Sequence, residues 1–291
     1  MAQCLSPFTK KDNKHGIQHF PCGKCPICYA RRISGWSFRL QKHGLAQKSA
    51  LFITLTYNTD HVPITKRGYM SLDKTHPQKF FKRLRKRHDV RYKRYSRIYE
   101  LPTQDKISYY LAGEYGEIRN RPHYHAIIFN AHPDDIYKAW KLGEVHYGEV
   151  NQASIGYTLK YMSKDGKIPA HQNDDRIPEF SLMSKGIGKN YLTSQIIKWH
   201  KADLLNRMYC NLPDGKKIAM PKYYKDKIYN DHERKLIGKH LENQLMDEKL
   251  HYSDITSQNE LDYYNKLIND MESVKIKKMK HNPNKRLTNK L

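Results

Sequence analysis

Two β-type runs, Ile107 to Tyr115 and His123 to Asn130, flank Gly116-Glu117-Ile118-Arg119-Asn120-Arg121-Pro122, and this arrangement constrains the fold more than any other feature of the chain. Each run is of strand length and rich in apolar, aromatic and β-branched residues. The Gly, Asn and Pro of the connector supply turn conformations and interrupt any longer element, so an antiparallel hairpin is the natural product. If the turn centres near Ile118 or Arg119, Glu114 lies across from His123 or His125 and shares their face of the sheet.

His123 and His125 are two apart, and on a strand that spacing points both imidazoles the same way. Spacing alone means little: 16 His among 291 residues give about one such pair by chance. The carboxylate of Glu114 changes the argument. Two imidazoles and one carboxylate on adjacent positions leave coordination sites open, as a catalytic divalent ion requires if it is to hold a substrate oxygen. Mg²⁺ or Mn²⁺ suits a phosphate substrate, although imidazoles by themselves favour Zn²⁺, Ni²⁺ or Cu²⁺.

Tyr157 and Tyr161 are four apart in a segment that Asn151 or Ser154 can cap as a helix running to about Ser163, so both phenols share a face. Lys160 and Lys164 each follow a tyrosine by three positions. With 22 Tyr in the chain, about two such pairs are expected by chance, and Tyr95 with Tyr99 is another. Only conjunction with the histidine hairpin singles out the first pair. A phenol of pKa about 10 is a workable nucleophile once a cation lowers it. Its phosphate ester conserves the energy of the broken bond, and Lys160 or Lys164 can steady the developing charge.

The rest of the chain frames these candidates. Tyr29 to Gln47 reads as an amphipathic helix and Leu51 to Tyr57 as a buried strand. Asp73 is placed to cap a helix with Phe80, Phe81 and Leu84 inward and Lys82, Arg83, Arg85, Lys86 and Arg87 outward. A short helix around Asp134 to Trp140 and a strand around Val145 to Val150 come next. Beyond Lys201 the chain is polar and helical in pattern, with sparse leucines such as Leu204, Leu205, Leu241, Leu245, Leu261 and Leu267. Its last stretch, Lys275 to Leu291, has almost nothing to bury and is expected to order only on DNA.

The net charge of +24 points to a polyanionic partner, and tyrosines interleaved with Lys and Arg favour unpaired nucleic acid bases. No apolar run approaches a membrane span, and the first ten residues do not resemble a leader, so a bacterial host's cytoplasm is the expected location. Cys22, Cys25 and Cys28 are spaced for a structural Zn²⁺, with Cys4 or His19 as fourth ligand, against the alternative of free thiols. Cys210 stands apart from them.

Taken together, Pro21-Cys22-Gly23-Lys24-Cys25 with Cys28, Phe52-Ile53-Thr54-Leu55-Thr56-Tyr57, Phe80-Phe81-Lys82-Arg83-Leu84-Arg85-Lys86 and Gly113-Glu114-Tyr115-Gly116 resemble the replication initiators of the Microviridae. So do Arg121-Pro122-His123-Tyr124-His125-Ala126-Ile127-Ile128-Phe129, the tyrosine helix, Glu179-Phe180, Met183-Ser184 and Gly186-Ile187-Gly188, and the gokushovirus branch is the nearest. The resemblance ends near Leu192. It implies an HUH endonuclease, with Tyr124 in the middle place where an aliphatic residue is also common. It further implies an α+β core: a five-stranded antiparallel sheet flanked by helices, with the metal histidines on a central strand and the nucleophile helix beside it. By that carry-over His123 and His125 bind metal, and Tyr157 and Tyr161 are paired nucleophiles. Glu114 as third ligand rests equally on the hairpin register.

The expected organisation is a Cys-rich segment over residues 1–30, a nicking and joining domain over 31–200 and a basic helical extension with a flexible tail over 201–291. The expected function is a rolling-circle initiator acting on single-stranded DNA at a phage origin, with host helicase and polymerase as partners. Three rivals remain: a non-haem Fe(II) oxygenase, which leaves the tyrosines and the charge unexplained; a DNA-binding module whose histidines merely pack; and a relaxase or transposase of the same chemical class.

Overall fold

The computed structural model of the protein describes residues 4, 8–12, 16–99, 104–160 and 168–253. Its architecture is α+β. The main sheet has five antiparallel strands in the order β6 (Val145–Gly148), β3 (Ala50–Leu55), β5 (Pro122–Phe129), β4 (Ser108–Tyr115) and β7 (Phe180–Met183). The expected hairpin is β4–β5. Glu114 pairs with His123, and Asn120 carries the left-handed backbone (φ 48°) that the tight turn demands. Asn tolerates that conformation better than most residues. A separate pair, β1 (Phe8–Asp12) with β2 (Gly16–Phe20), precedes helix α1 (Pro26–Gly44), which starts at a proline suited to the first helical position.

Helices cover both faces of the sheet, which is why β4 and β5 read as nearly continuous apolar runs rather than alternating ones. On one face Ile53, Leu55, Leu111, Tyr124, Ala126 and Ile128 pack with Phe80, Phe81 and Leu84 of α2 (Thr75–Ser96) and with Ile136 and Ala139 of α3 (Pro133–Ala139). On the other, Tyr110, Ile127 and Phe129 pack with Leu40 of α1 and with Ile155 and Leu159 of α4 (Gln152–Lys160). The histidines belong to this second face, and Tyr124 between them belongs to the first.

The buried position of Tyr124 gives its hydroxyl a structural task. The hydroxyl donates to the Asp73 carbonyl (2.8 Å), accepts from the Asp73 amide (3.2 Å) and lies 2.7 Å from the Tyr57 hydroxyl, which in turn meets His76 Nδ1 at 2.8 Å. Burial pushes the Tyr124 phenol up to about 12, so it stays protonated as a donor. Tyr124→Phe strands the buried Tyr57 and Asp73 groups and is expected to cost about 1–3 kcal/mol, read from urea unfolding.

Several expectations change in detail. Asp73 sits one residue outside the cap position of α2, although its Oδ1 accepts from the Thr75 amide at 2.6 Å. Arg83 does not face solvent: it is half-buried and donates to the Ala139 carbonyl at 2.8 Å, while Arg91 forks onto Asp135. Charges that pin α3 are therefore mixed with those that remain outward, Lys82, Arg85 and Lys86.

Beyond α5 (Ser194–Lys201) the chain does not continue as helix. Tyr209–Asn211 (β8) and Lys217–Ala219 (β9) form a hairpin around Pro213-Asp214-Gly215, with Gly215 at φ 77°. This hairpin and α6 (Lys222–Ile228) belong to the same compact unit as the sheet, which comprises residues 1–202 and 207–228. A second unit holds 203–206 and 229–291. Its helix α7 (Asp231–Ser253) is capped reciprocally, the Glu233 amide donating to Asn230 Oδ1 and the Asn230 amide to Glu233 Oε2. Leu261, Leu267 and the 275–291 tail lie outside the described residues.

Candidate metal and nucleophile site

The β4–β5 register decides the geometry of the site. His123 Nε2 and His125 Nε2 each lie 2.7 Å from Glu114 Oε1, and one donor atom from each residue falls within 4.8 Å of the others. Side-chain exposure is 2% for Glu114, 8% for His125 and 20% for His123, so the cluster opens toward solvent on the His123 side.

The other ring nitrogens settle which atoms face inward. His123 Nδ1 can only donate to the Arg121 carbonyl, 3.1 Å away, which leaves the Nε2 lone pair pointing at a carboxylate oxygen when the ring is neutral. A proton or a cation must lie between them. His125 Nδ1 is held by Thr54 Oγ1 at 2.9 Å, and its ring stacks on Phe52 with an interplanar angle of 5°. Outer partners of this kind orient metal-binding imidazoles.

The donor set fits a divalent ion. Glu114 Oε2 is buried with no hydrogen-bond partner among the described residues, a costly state unless something else occupies it. Burial by itself would raise the Glu114 pKa, but hydrogen bonds from His123 and His125 and their charge outweigh it, and the carboxyl sits below its ordinary value. For His123, desolvation pulls the pKa down, and the hydrogen bond and charge of Glu114 carry it above the usual imidazole value. Donors roughly 3 Å apart suit metal–ligand bonds of about 2.0–2.2 Å. Thr54→Val removes the partner of His125 and is expected to weaken metal binding about 10- to 100-fold, measured by calorimetric titration with Mn²⁺.

Helix α4 brings its tyrosine to this cluster. Asn151 and Ser154 cap each other, with Asn151 Oδ1 accepting from the Ser154 amide and Ser154 Oγ from the Asn151 amide, both at 2.9 Å. Ile155, Thr158 and Leu159 are buried, which turns the helix so that Tyr157 stands at its edge against the metal cluster. The Tyr157 ring meets His125 at 4.9 Å between centroids and 87°, and also meets Phe52. It stays 42% exposed, enough for its phenol to be reached by a substrate. Lys160 is exposed at the helix end. Tyr161 and Lys164 lie outside the described residues. Tyr95 and Tyr99 are exposed at and beyond the end of α2, the helix that covers the opposite face of the sheet.

The cysteines form a second cluster. Sγ atoms of Cys4, Cys22, Cys25 and Cys28 lie within 4.8 Å of one another; a tetrahedral zinc with Zn–S of about 2.3 Å needs them roughly 3.8 Å apart. Cys4 thus takes the fourth place, and the side chain of His19 lies outside the described ones. Backbone amides already point at sulfur: Cys22 N–H at Cys4 Sγ (3.1 Å), and those of Lys24 (3.4 Å) and Cys25 (3.2 Å) at Cys22 Sγ. The Lys24 and Cys25 amides lower the Cys22 thiol to about 6, while burial pushes Cys28 up to about 12. Cys210 is buried in β8, away from this cluster.

Thr54, Phe52 and the Arg121 carbonyl are not among the candidates that the sequence offers. Thr54 is 71 residues from His125, and nothing local marks it.

Residues 50–166 match a family model described as Replication-associated protein ORF2. The chain is 27% identical over 235 residues to the Replication-associated protein VP4 of Bdellovibrio phage phiMH2K, covering 74% of this chain and 69% of that protein. It is 29% identical over 224 residues to the Replication-associated protein ORF2 of Spiroplasma virus 4, covering 70% and 66%. Against the Replication-associated protein ORF4 of Chlamydia phage 1 it is 26% identical over 263 residues, covering 80% and 59%. The chain thus spans about two thirds of the first two relatives' length and less of the third's. No solved structure matches it.

Proposed function

We propose, for a chain whose relatives are replication-associated proteins of small phages, the role of a rolling-circle initiator that nicks and rejoins single-stranded DNA through its own tyrosine. The observation that carries the proposal is the contact of the Tyr157 ring with His125, one of three metal-type donors gathered on the same sheet face.

In the proposed reaction the Tyr157 or Tyr161 oxygen attacks the scissile phosphorus. A Tyr O–P bond forms, the P–O3′ bond breaks, and the phenolic proton ends on the released 3′ hydroxyl. A later attack by a DNA 3′ hydroxyl on the phosphotyrosine reverses the exchange and closes the strand. A second phenol on the same helix face would let the regenerated junction be cut while the first ester is resolved. Lys160, with Lys164, would balance phenolate and phosphate charge.

Glu114, His123 and His125 would hold Mg²⁺ or Mn²⁺, which when bound withdraws charge from the scissile phosphate. Thr54, Phe52 and the Arg121 carbonyl keep the imidazoles in the orientation that ligation needs. Cys4, Cys22, Cys25 and Cys28 would hold a structural Zn²⁺. Chelation, or Cys22→Ser, is then expected to release about one zinc per chain by mass spectrometry and to lower the melting temperature by several degrees, as lost metal binding is lost folding energy.

Under this proposal the nicking and joining domain is residues 31–200, with a Cys-rich segment over 1–30 and a basic extension over 201–291. The partners are single-stranded DNA at a phage origin and the host helicase and polymerase, in the host cytoplasm. Among the described residues no helix is long and apolar enough to cross a membrane. The test is a Mn²⁺ reaction with an origin oligonucleotide followed by mass spectrometry of tyrosyl peptides. A DNA adduct on the 157–164 segment is expected, and a cut strand with no tyrosyl adduct would refute the mechanism.

A further inference from the structure

We propose that the cavity between the first half of α1 and residues 220–223 binds one nucleotide of the single strand outside the scissile position, its phosphate held by arginines. The proposal rests on the DNA reading above and adds a second, metal-independent contact. The cavity measures about 280 Å³, near the small end of ligand pockets of roughly 300–1,000 Å³. Its walls include Arg31, Arg32, Arg39 and Lys222 with Trp36 and Tyr223, and among the described residues no carboxylate lines it.

Arg39 is the fixed part. Its guanidinium lies between the Trp36 and Tyr223 rings, 4.0 and 4.2 Å from their centroids, and its Nε and Nη2 donate to the Ile187 carbonyl at 3.1 and 3.0 Å. None of those partners is an anion. A half-buried cation with ring and carbonyl partners but no counter-charge is stabilised by a bound phosphate, and a planar guanidinium already held in place loses little freedom on binding one. Burial also draws the Arg39 pKa down, a sign that its charge lacks compensation.

Helix geometry supplies the other donors. Arg31, Gly35 and Arg39 follow at four-residue steps on one side of α1, and Gly35 adds no side chain between the two arginines. A Cβ there would already touch the Pro221 ring at 3.4 Å, so a larger residue would close the cleft. Arg32 donates to the Gly23 carbonyl at 3.3 Å, tying the cysteine loop to the rim. Lys222 is engaged by Asp226 at 2.6 Å, which leaves the arginines as the phosphate ligands.

The location suits a strand that also passes the metal cluster. Trp36 packs on Tyr110 at 5.2 Å between rings, and Tyr110 and Glu114 share a face of β4. Their four-residue separation amounts to about 13 Å along the strand. That is about four phosphates at the stacked spacing of roughly 3.4 Å, and fewer if the DNA is extended.

The test measures binding by fluorescence anisotropy in EDTA, where no cutting occurs, with oligonucleotides carrying one neutral methylphosphonate at each position in turn. In the wild-type chain one position about two to four phosphates from the nick is expected to weaken binding about tenfold. In Arg31→Ala/Arg32→Ala that position becomes insensitive, and the slope of log K against log salt falls by about 1.4, two contacts at roughly 0.7 each. Equal sensitivity at every position in both proteins overturns the proposal. So does a mononucleotide or inorganic phosphate that competes as strongly as the oligonucleotide, which would mark a site for a free ligand. Should the double variant melt early, photocrosslinking of iodouracil oligonucleotides to the wild-type chain decides: adducts at Trp36 or Tyr223 support the site, and adducts found only elsewhere overturn it. Failure of tyrosyl adduct formation with normal methylphosphonate behaviour would count against the nicking reading alone.

Discussion

Tyr157→Phe combined with Tyr161→Phe is expected to remove the covalent protein–DNA band from denaturing gels, a loss of at least about 10³-fold, because no other group replaces a nucleophile that forms the intermediate. Binding in EDTA should persist within about twofold, since the rings remain and only two hydroxyls are lost. Tyr95→Phe with Tyr99→Phe is the matched control. It has the same four-residue spacing and the same chemical change, at exposed positions on and beyond the helix covering the opposite sheet face, and should keep wild-type activity. Equal loss in the two double variants would remove the basis for choosing the first pair. A single Tyr157→Phe that retains the adduct would assign the first attack to Tyr161.

The second large effect is expected at Glu114. Glu114→Gln keeps the shape of the side chain but withdraws the negative charge that gathers His123 and His125. Mn²⁺ affinity should fall by about 100-fold or more, and nicking at fixed metal by about 10³-fold, the equivalent of roughly 4 kcal/mol of transition-state stabilisation. Two readouts separate ligation from folding: calorimetric metal titration, and thermal unfolding in EDTA, where wild type and variant are compared without metal. His123→Ala should behave alike, being the most exposed of the three and therefore the least important for packing. Wild-type metal affinity in Glu114→Gln would show that the carboxylate is not a ligand.

Much of the site is legible in the sequence because it is encoded locally. The hairpin needs only a turn and two strand-length runs, and once the turn is centred, strand periodicity fixes Glu114 opposite His123. Likewise the Asn151 and Ser154 caps set where α4 begins, and burial of Ile155 and Leu159, four apart, follows from helix periodicity. The β8–β9 hairpin escapes a reading of this kind although Pro213-Asp214-Gly215 is a turn signal, because the surrounding Lys-rich, leucine-sparse pattern resembles that of a helix.

What stays hidden depends on segments far apart in sequence. Arg83 departs from its outward assignment because α3 packs beside it and offers a carbonyl. Tyr124 reads from sequence as a spacer between histidines, yet its hydroxyl joins Tyr57 and Asp73 on the far side of the sheet.

By itself the sequence determined the composition of the chemistry: two imidazoles on one strand face, a carboxylate across the hairpin, a helix bearing a phenol, and a surplus of positive charge. Local periodicity and turn preferences suffice for those, since each is settled within about 25 residues. Tertiary structure decided that α4 lies on the histidine face with Tyr157 against His125, that Thr54 aligns His125, and that Cys4 joins the other three thiols. Those outcomes follow from which faces the packed helices cover, and burial of apolar surface between distant segments leaves no mark at any single position of the chain.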